Sequence, residues 1–174
     1  MSNFLNLAMV VVFDDNYVRV EVDSSRHLCV AFWKPMYKSD EQWKEIKLRL
    51  IDIIKKYEVE NFLACTRNSV FPTPPSLQEW LTEKVKEEDL GSKLKKAGVV
   101  LPDDLIVELS LQQIGESLLR EAHIPVRYFK DKRRAFSWLG ESKFFEKLKA
   151  VRIITDGLCY IILLSRKEVL PLEL

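Results

Sequence analysis

The chain reads as an α/β protein with a mixed β-sheet flanked by helices, and three observations predict this. A period-two alternation of β-branched and aromatic residues marks a hairpin near the start, in Tyr17-Val-Arg-Val-Glu-Val22 and His27-Leu-Cys-Val-Ala-Phe-Trp33. Short apolar runs without much alternation follow, as expected of strands covered on both sides. Segments of helical period separate those runs, and strands alternating with helices need crossover connections, hence parallel pairs in the sheet.

In chain order, residues 8–13 offer a first strand beside the hairpin, and Asp23-Ser-Ser25 supplies its turn. Pro35 ends the ladder because it has no N–H to give. Ser39 or Asp40 is placed to cap a helix in which Trp43, Ile46, Leu50, Ile53, Ile54 and Tyr57 share one face. Lys44, Glu45, Lys47, Arg49, Asp52 and Lys56 are assigned to the opposite, solvated face. Residues 62–66 form the next strand, which ends in the polar residues Thr66, Arg67 and Asn68.

A proline-rich loop leads to Ser76-x-x-Glu79, read as a capping box, with Pro74 and Pro75 disfavouring any earlier helix start. That helix runs into the charged residues 83–89. Residues 97–101 give another strand, and Pro102-Asp103-Asp104 opens a third helical region to about Glu121, with a break expected near Ser110. Residues 125–129 are a further strand. Asp131 starts a short helix carrying Ala135, Phe136, Trp138 and Leu139, which Gly140 closes.

Residues 1–140 are thus one α/β domain, and residues 141–174 an appendage packed on it. In the appendage, a short amphipathic stretch at 142–149 precedes two apolar runs joined by Asp156-Gly157, a strong hairpin signal. The edges of that hairpin need cover, from the main sheet or from a second chain in a homodimer.

A chain of 174 residues suffices for one domain with a real core, burying roughly 70% of its unfolded surface. The 27 basic and 26 acidic side chains nearly cancel, so no domain-wide field points to nucleic acid or an anionic membrane. The apolar run at 158–164 is far short of the roughly 20 residues that span a bilayer, and the first residues lack a basic n-region. Cys29, Cys65 and Cys159 are odd in number and set in apolar runs, the pattern of reduced, buried thiols in a cytoplasmic protein.

Little in the sequence points to catalysis. His27 and His123 have no ligand partners at metal spacing, and neither CxxC nor HExxH occurs, so no metal is expected. None of the five glycines builds a phosphate cradle, so no cofactor is expected either. Cys65 would be an activated thiol only with Arg67 aimed at it. Asp103-Asp104 sits where a helix N-terminus wants negative charge, and capping is the reading preferred over an acid/base pair. The basic clusters Lys93, Lys95, Lys96 and Lys130, Lys132, Arg133, Arg134 are read as solvated faces, with acidic neighbours.

Several phrases, in this order, resemble a family. They are Cys65-Thr-Arg-Asn68, Gln78-Glu-Trp80-Leu, Gly98-Val-Val-Leu-Pro102, Val126-Arg-Tyr-Phe129 and Ala135-Phe-Ser-Trp138-Leu. Over about residues 7–139 the chain resembles STAS-like domains of the sporulation anti-sigma factor antagonist type, in the bacterial branch of unassigned role. The resemblance implies a mixed sheet flanked by helices and a regulatory or protein-interaction role without catalysis. In phosphoregulated members a serine at the N-terminus of the helix after the central strand accepts phosphate. Here the Asp-Ser-Ser-Gly phrase characteristic of those members is missing, the loop reads Asn68-Ser-Val-Phe-Pro-Thr-Pro-Pro-Ser76, and Ser76 is the nearest equivalent, ahead of Thr73 and Ser69.

The leading expectation is therefore a non-enzymatic module that binds a protein partner or itself through Arg67, Asn68, Ser76 and Trp80. The alternative is a small-molecule or lipid carrier with an apolar pocket between sheet and helices. An enzyme using Cys65 or Asp103 ranks third.

Overall fold

Alternation along the strands decides which side chains meet which layer. The computed structural model of the protein describes residues 9–140. Within them lie β1 (Val10–Asp14), β2 (Val18–Asp23), β3 (Leu28–Trp33), α1 (Asp40–Lys56), β4 (Asn61–Cys65) and α2 (Pro75–Glu87). β5 (Lys96–Val100), α3 (Leu105–Ala122), β6 (Val126–Phe129) and α4 (Lys132–Trp138) complete the order. The appendage expected over 141–174, including its hairpin and Cys159, lies outside the described residues.

The sheet has six strands in sequence order. β1, β2 and β3 pair antiparallel, with a bulge between Val11 and Phe13. β3 to β6 pair parallel, in the registers Leu28↔Asn61, Asn61↔Lys96 and Ala97↔Val126. Consecutive parallel strands joined by crossovers of one hand carry their connecting helices on one face. Accordingly α1, α2 and α3 share a core with Val18, Val20, Val22, Cys29, Ala31, Trp33 and Ala64. The alternate residues Leu28, Val30, Leu63, Cys65, Val100 and Phe129 pack with Ala135, Phe136 and Leu139 at α4. Both faces of β3 and β4 are covered, which is why their sequences are almost wholly apolar.

The helix starts follow cap chemistry. Ser39 is the N-cap of α1: its hydroxyl accepts from the Gln42 N–H, and the Gln42 side chain accepts from the Ser39 N–H at 2.9 Å, a reciprocal capping box. α2 corrects the expected Ser76–Glu79 box. It begins one residue earlier, at Pro75, with Pro74 in the cap position and no side-chain cap bond. Proline fits the first helical position because the N–H it lacks would have no helical partner there.

α3 is capped as expected by Asp104, whose carboxylate accepts from the Ile106 and Val107 N–H groups at 2.9 and 3.0 Å. The break expected near Ser110 is absent. The Ser110 hydroxyl bonds back to the Val107 carbonyl at 2.8 Å and accepts from the Thr73 N–H at 3.2 Å. It thus pins the proline-rich loop onto an unbroken helix.

Candidate functional site

An apolar cavity of about 150 Å³ lies between the sheet and α1, α2 and α3. Its walls follow from the alternation above: Ala64 and Val99 point in from the sheet, while Leu81 of α2 and Ile114 of α3 close the far side. One end is polar and aromatic. Trp33 arrives at the end of β3, Lys38 in the segment before α1, Trp43 and Lys47 on α1, and Phe71 and Thr73 in the loop after β4. Lys38 and Lys47 are the charged residues among those lining the cavity.

Lys47 sits one helical turn from Trp43, at the i,i+4 spacing that puts two side chains on one face. Its ammonium lies 4.4 Å from the Trp33 ring centre and 5.0 Å from that of Trp43. This corrects its assignment to the solvated face of α1. Lys47 is half-buried as a whole residue. The Lys38 ammonium is 5.3 Å from the Trp33 ring centre, 5.1 Å from Phe71 and 6.0 Å from Tyr17. Lys38 is 8% exposed and bonds the Met36 carbonyl at 3.3 Å. The two ammoniums therefore share the Trp33 ring inside an aromatic cage.

Burial pushes the Lys47 amine down to about 7, and the neighbouring positive Lys38 adds to the effect. Burial lowers Lys38 as well, partly offset by the Asp15 carboxylate. Asp15 is itself held by the Tyr17 and Val18 N–H groups, each at 2.7 Å. Among the described residues, neither ammonium has a carboxylate within ion-pair distance.

The residues expected to carry function from sequence are spread over different neighbourhoods. Arg67 is exposed and reaches Asp103 and the Lys130 carbonyl, away from Cys65. Asn68 is exposed beside it. Ser76 is exposed in the first turn of α2. Trp80 turns toward α1, edge-on to Trp43 at 6.2 Å, with the Lys44 ammonium 5.5 Å from its ring centre. Among the described residues, no hydrogen bond, ion pair or ring contact joins any two of these four.

Cys65 and Cys29 are buried, and desolvation pushes both thiols up to about 12. Neither is an activated nucleophile. His27 meets the Glu58 carbonyl at 2.9 Å, and His123 caps α3 in a left-handed conformation. Members of both basic clusters are engaged locally. Lys95 pairs with Glu60 at 2.7 Å, Lys130 pairs with Glu108, and Lys132 lies 4.5 Å from the Phe32 ring centre.

Sequence reading missed Trp33, Lys38, Lys47 and Phe71 as a group. The legible signal was Lys47 itself, four residues after Trp43 and four before Ile51, inside the apolar stripe of α1. Lys38 carried no such signal. No helix among the described residues is long and apolar enough to cross a membrane. No family model, curated protein or solved structure matches the chain.

Proposed function

We propose that this chain is a non-enzymatic binding module that takes a small, largely apolar molecule into the cavity between its sheet and α1–α3. The observation that carries this is the cavity itself. Interiors normally pack to crystal-like density with few voids larger than a water. At about 24 cal/mol per Å³, leaving 150 Å³ empty forgoes roughly 3–4 kcal/mol of packing. A ligand that fills the space recovers part of that. Apolar cavities of roughly this size stay dry and accept a ring the size of benzene. The raised thiols of Cys29 and Cys65 support binding over covalent catalysis at these groups.

Neutral apolar probes test this reading. Toluene or hexanol at about 100 times its dissociation constant should add about 2.7 kcal/mol of stability. For a chain of this length that raises the melting temperature by about 5–10 °C. A melting temperature unmoved by such probes up to their solubility would refute the reading.

A second reading rests on a different observation. Leu105, Ile106 and Leu109 of α3 are 66, 68 and 49% exposed, an apolar strip close in sequence to the Arg67 partner Asp103. Together with the STAS-like phrases, this favours a protein-interaction module that self-associates, with Ser76 as an accessible phosphate acceptor. Sedimentation of the full chain decides it. A concentration-dependent dimer lost in Ile106→Asp supports the reading, and a monomer at all concentrations removes it.

A further inference from the structure

The cavity has unlike ends. Its body is lined by Leu50, Ile54, Leu81, Val85, Ile114 and Leu118, whereas Lys38 and Lys47 stand together at the aromatic end, over the Trp33 ring. α2 and α3 present no charged side chain to this space. The charged group facing Lys47 is Lys38, and the carboxylate facing Lys38 is Asp15, from the turn between β1 and β2. Two like charges are thus gathered over one indole ring with no anion bonded to either among the described residues. Gathering them in a desolvated place is costly, and the cost falls either when Lys47 gives up its proton or when an anion joins the pair.

We propose that the cavity selects a small monocarboxylate, its carboxylate held between the Lys38 and Lys47 ammoniums and its apolar body, on the order of six carbons, in the space between sheet and helices. This rests on the reading of the cavity as a ligand site and adds the sign of the ligand's charge. The aromatic cage then has a definite part: Trp33, Trp43 and Phe71 keep the ammoniums in place through their ring faces and exclude water from the ion pairs.

Anion binding at this site takes up a proton wherever the Lys47 amine is neutral in the free protein. With that amine down at about 7, affinity falls as pH rises from 7 to 9, and binding below pH 6 no longer depends on pH through this group.

The test is a calorimetric titration of the full chain with hexanoate, benzoate, hexanol and hexylammonium at pH 6.5. Hexanoate or benzoate should bind about 10- to 100-fold tighter than hexanol, as expected for a charge-assisted contact, and hexylammonium should not bind. Lys47→Met and Lys38→Met keep the apolar stem and remove the charge. Each should weaken the carboxylate by about tenfold or more, and so narrow the gap between hexanoate and hexanol. Hexanol binding as tightly as hexanoate to the wild-type chain would overturn the anion inference while leaving the cavity reading in place. Unchanged hexanoate affinity in folded Lys38→Met/Lys47→Met would do the same. If no probe, charged or neutral, binds the wild-type chain, both readings fall. The wild-type selectivity among the four probes decides the matter even where a variant fails to fold.

Discussion

Lys47 is the residue on which the site turns, and its consequences reach beyond ligand binding. Its ordinary value is 10.5, and in the folded chain it lies at about 7. Between those values the unfolded chain holds a proton that the folded chain lacks. The stability of the ligand-free protein therefore rises with pH from about 7, by at most about 1.4 kcal/mol per pH unit. The rise is opposed at higher pH. The thiols of Cys29 and Cys65, at about 12 in the folded chain against an ordinary 9, stay protonated there after those of the unfolded chain have ionised. The clean window is pH 7 to 8.5. There the urea midpoint of the wild-type chain should climb more steeply than that of Lys47→Met, and parallel curves would rule out a buried Lys47 amine. Lys47 also marks where binary patterning stops. Charge placed it on the wet face of α1, whereas its spacing from Trp43 and Ile51 placed it in the stripe, and its long stem carries the ammonium to the Trp33 and Trp43 rings.

At the scale of elements, local chemistry was legible wherever one rule acted alone. Ser39 and Gln42 form the capping box of α1, Asp104 caps α3, and Asp131 caps α4 through the Arg133 and Arg134 N–H groups at 2.6 and 3.2 Å. Where two rules competed, the sequence misled. Ser76-x-x-Glu79 has the spacing of a capping box, but Pro75 already carries a fixed φ suited to the first helical turn, so the helix starts before the serine. Ser39→Ala should therefore cost about 1 kcal/mol. Ser76→Ala should stay within about 0.5 kcal/mol of wild type, as for an exposed position without a cap bond. Chemical denaturation of the two variants checks both, and an equal loss in each would restore the capping box at Ser76. Ser110 taught a related lesson: a polar residue that suggests a break can bond back to its own helix while its hydroxyl fixes a neighbouring loop.

On the scale of the whole molecule, the α/β class and the mixed sheet were readable because each strand's pattern reports how many of its faces are covered. The nearly unbroken apolar runs of β3 and β4 are that signal, whereas β2 alternates in sequence although Glu21 and Asp23 of its second face are buried as well. Sequential strand order then follows from short crossovers of one hand, and it leaves α1–α3 together on one face with α4 on the other. The expected pocket between sheet and helices was named only as a possibility of that architecture. Its position and charged end were not legible, because a cavity is the volume left over between side chains of many elements, and no local pattern records that difference. Trp33, Lys38, Lys47 and Phe71 come from four segments, the end of β3, the stretch before α1, α1 itself and the loop after β4, and meet only once α1 is laid on β3 and β4. The Arg67 to Trp80 stretch shows the reverse. Its members are close in sequence, yet Arg67 turns toward Asp103 and Trp80 toward Trp43.

The most direct test of the cavity reading locates a bound probe. With methyl-labelled protein and toluene, nuclear Overhauser contacts should run from the ligand to the methyl groups of Leu81, Val85 and Ile114. Contacts confined to exposed methyl groups such as those of Leu105 and Ile106, or none at all at saturating toluene, would contradict the account.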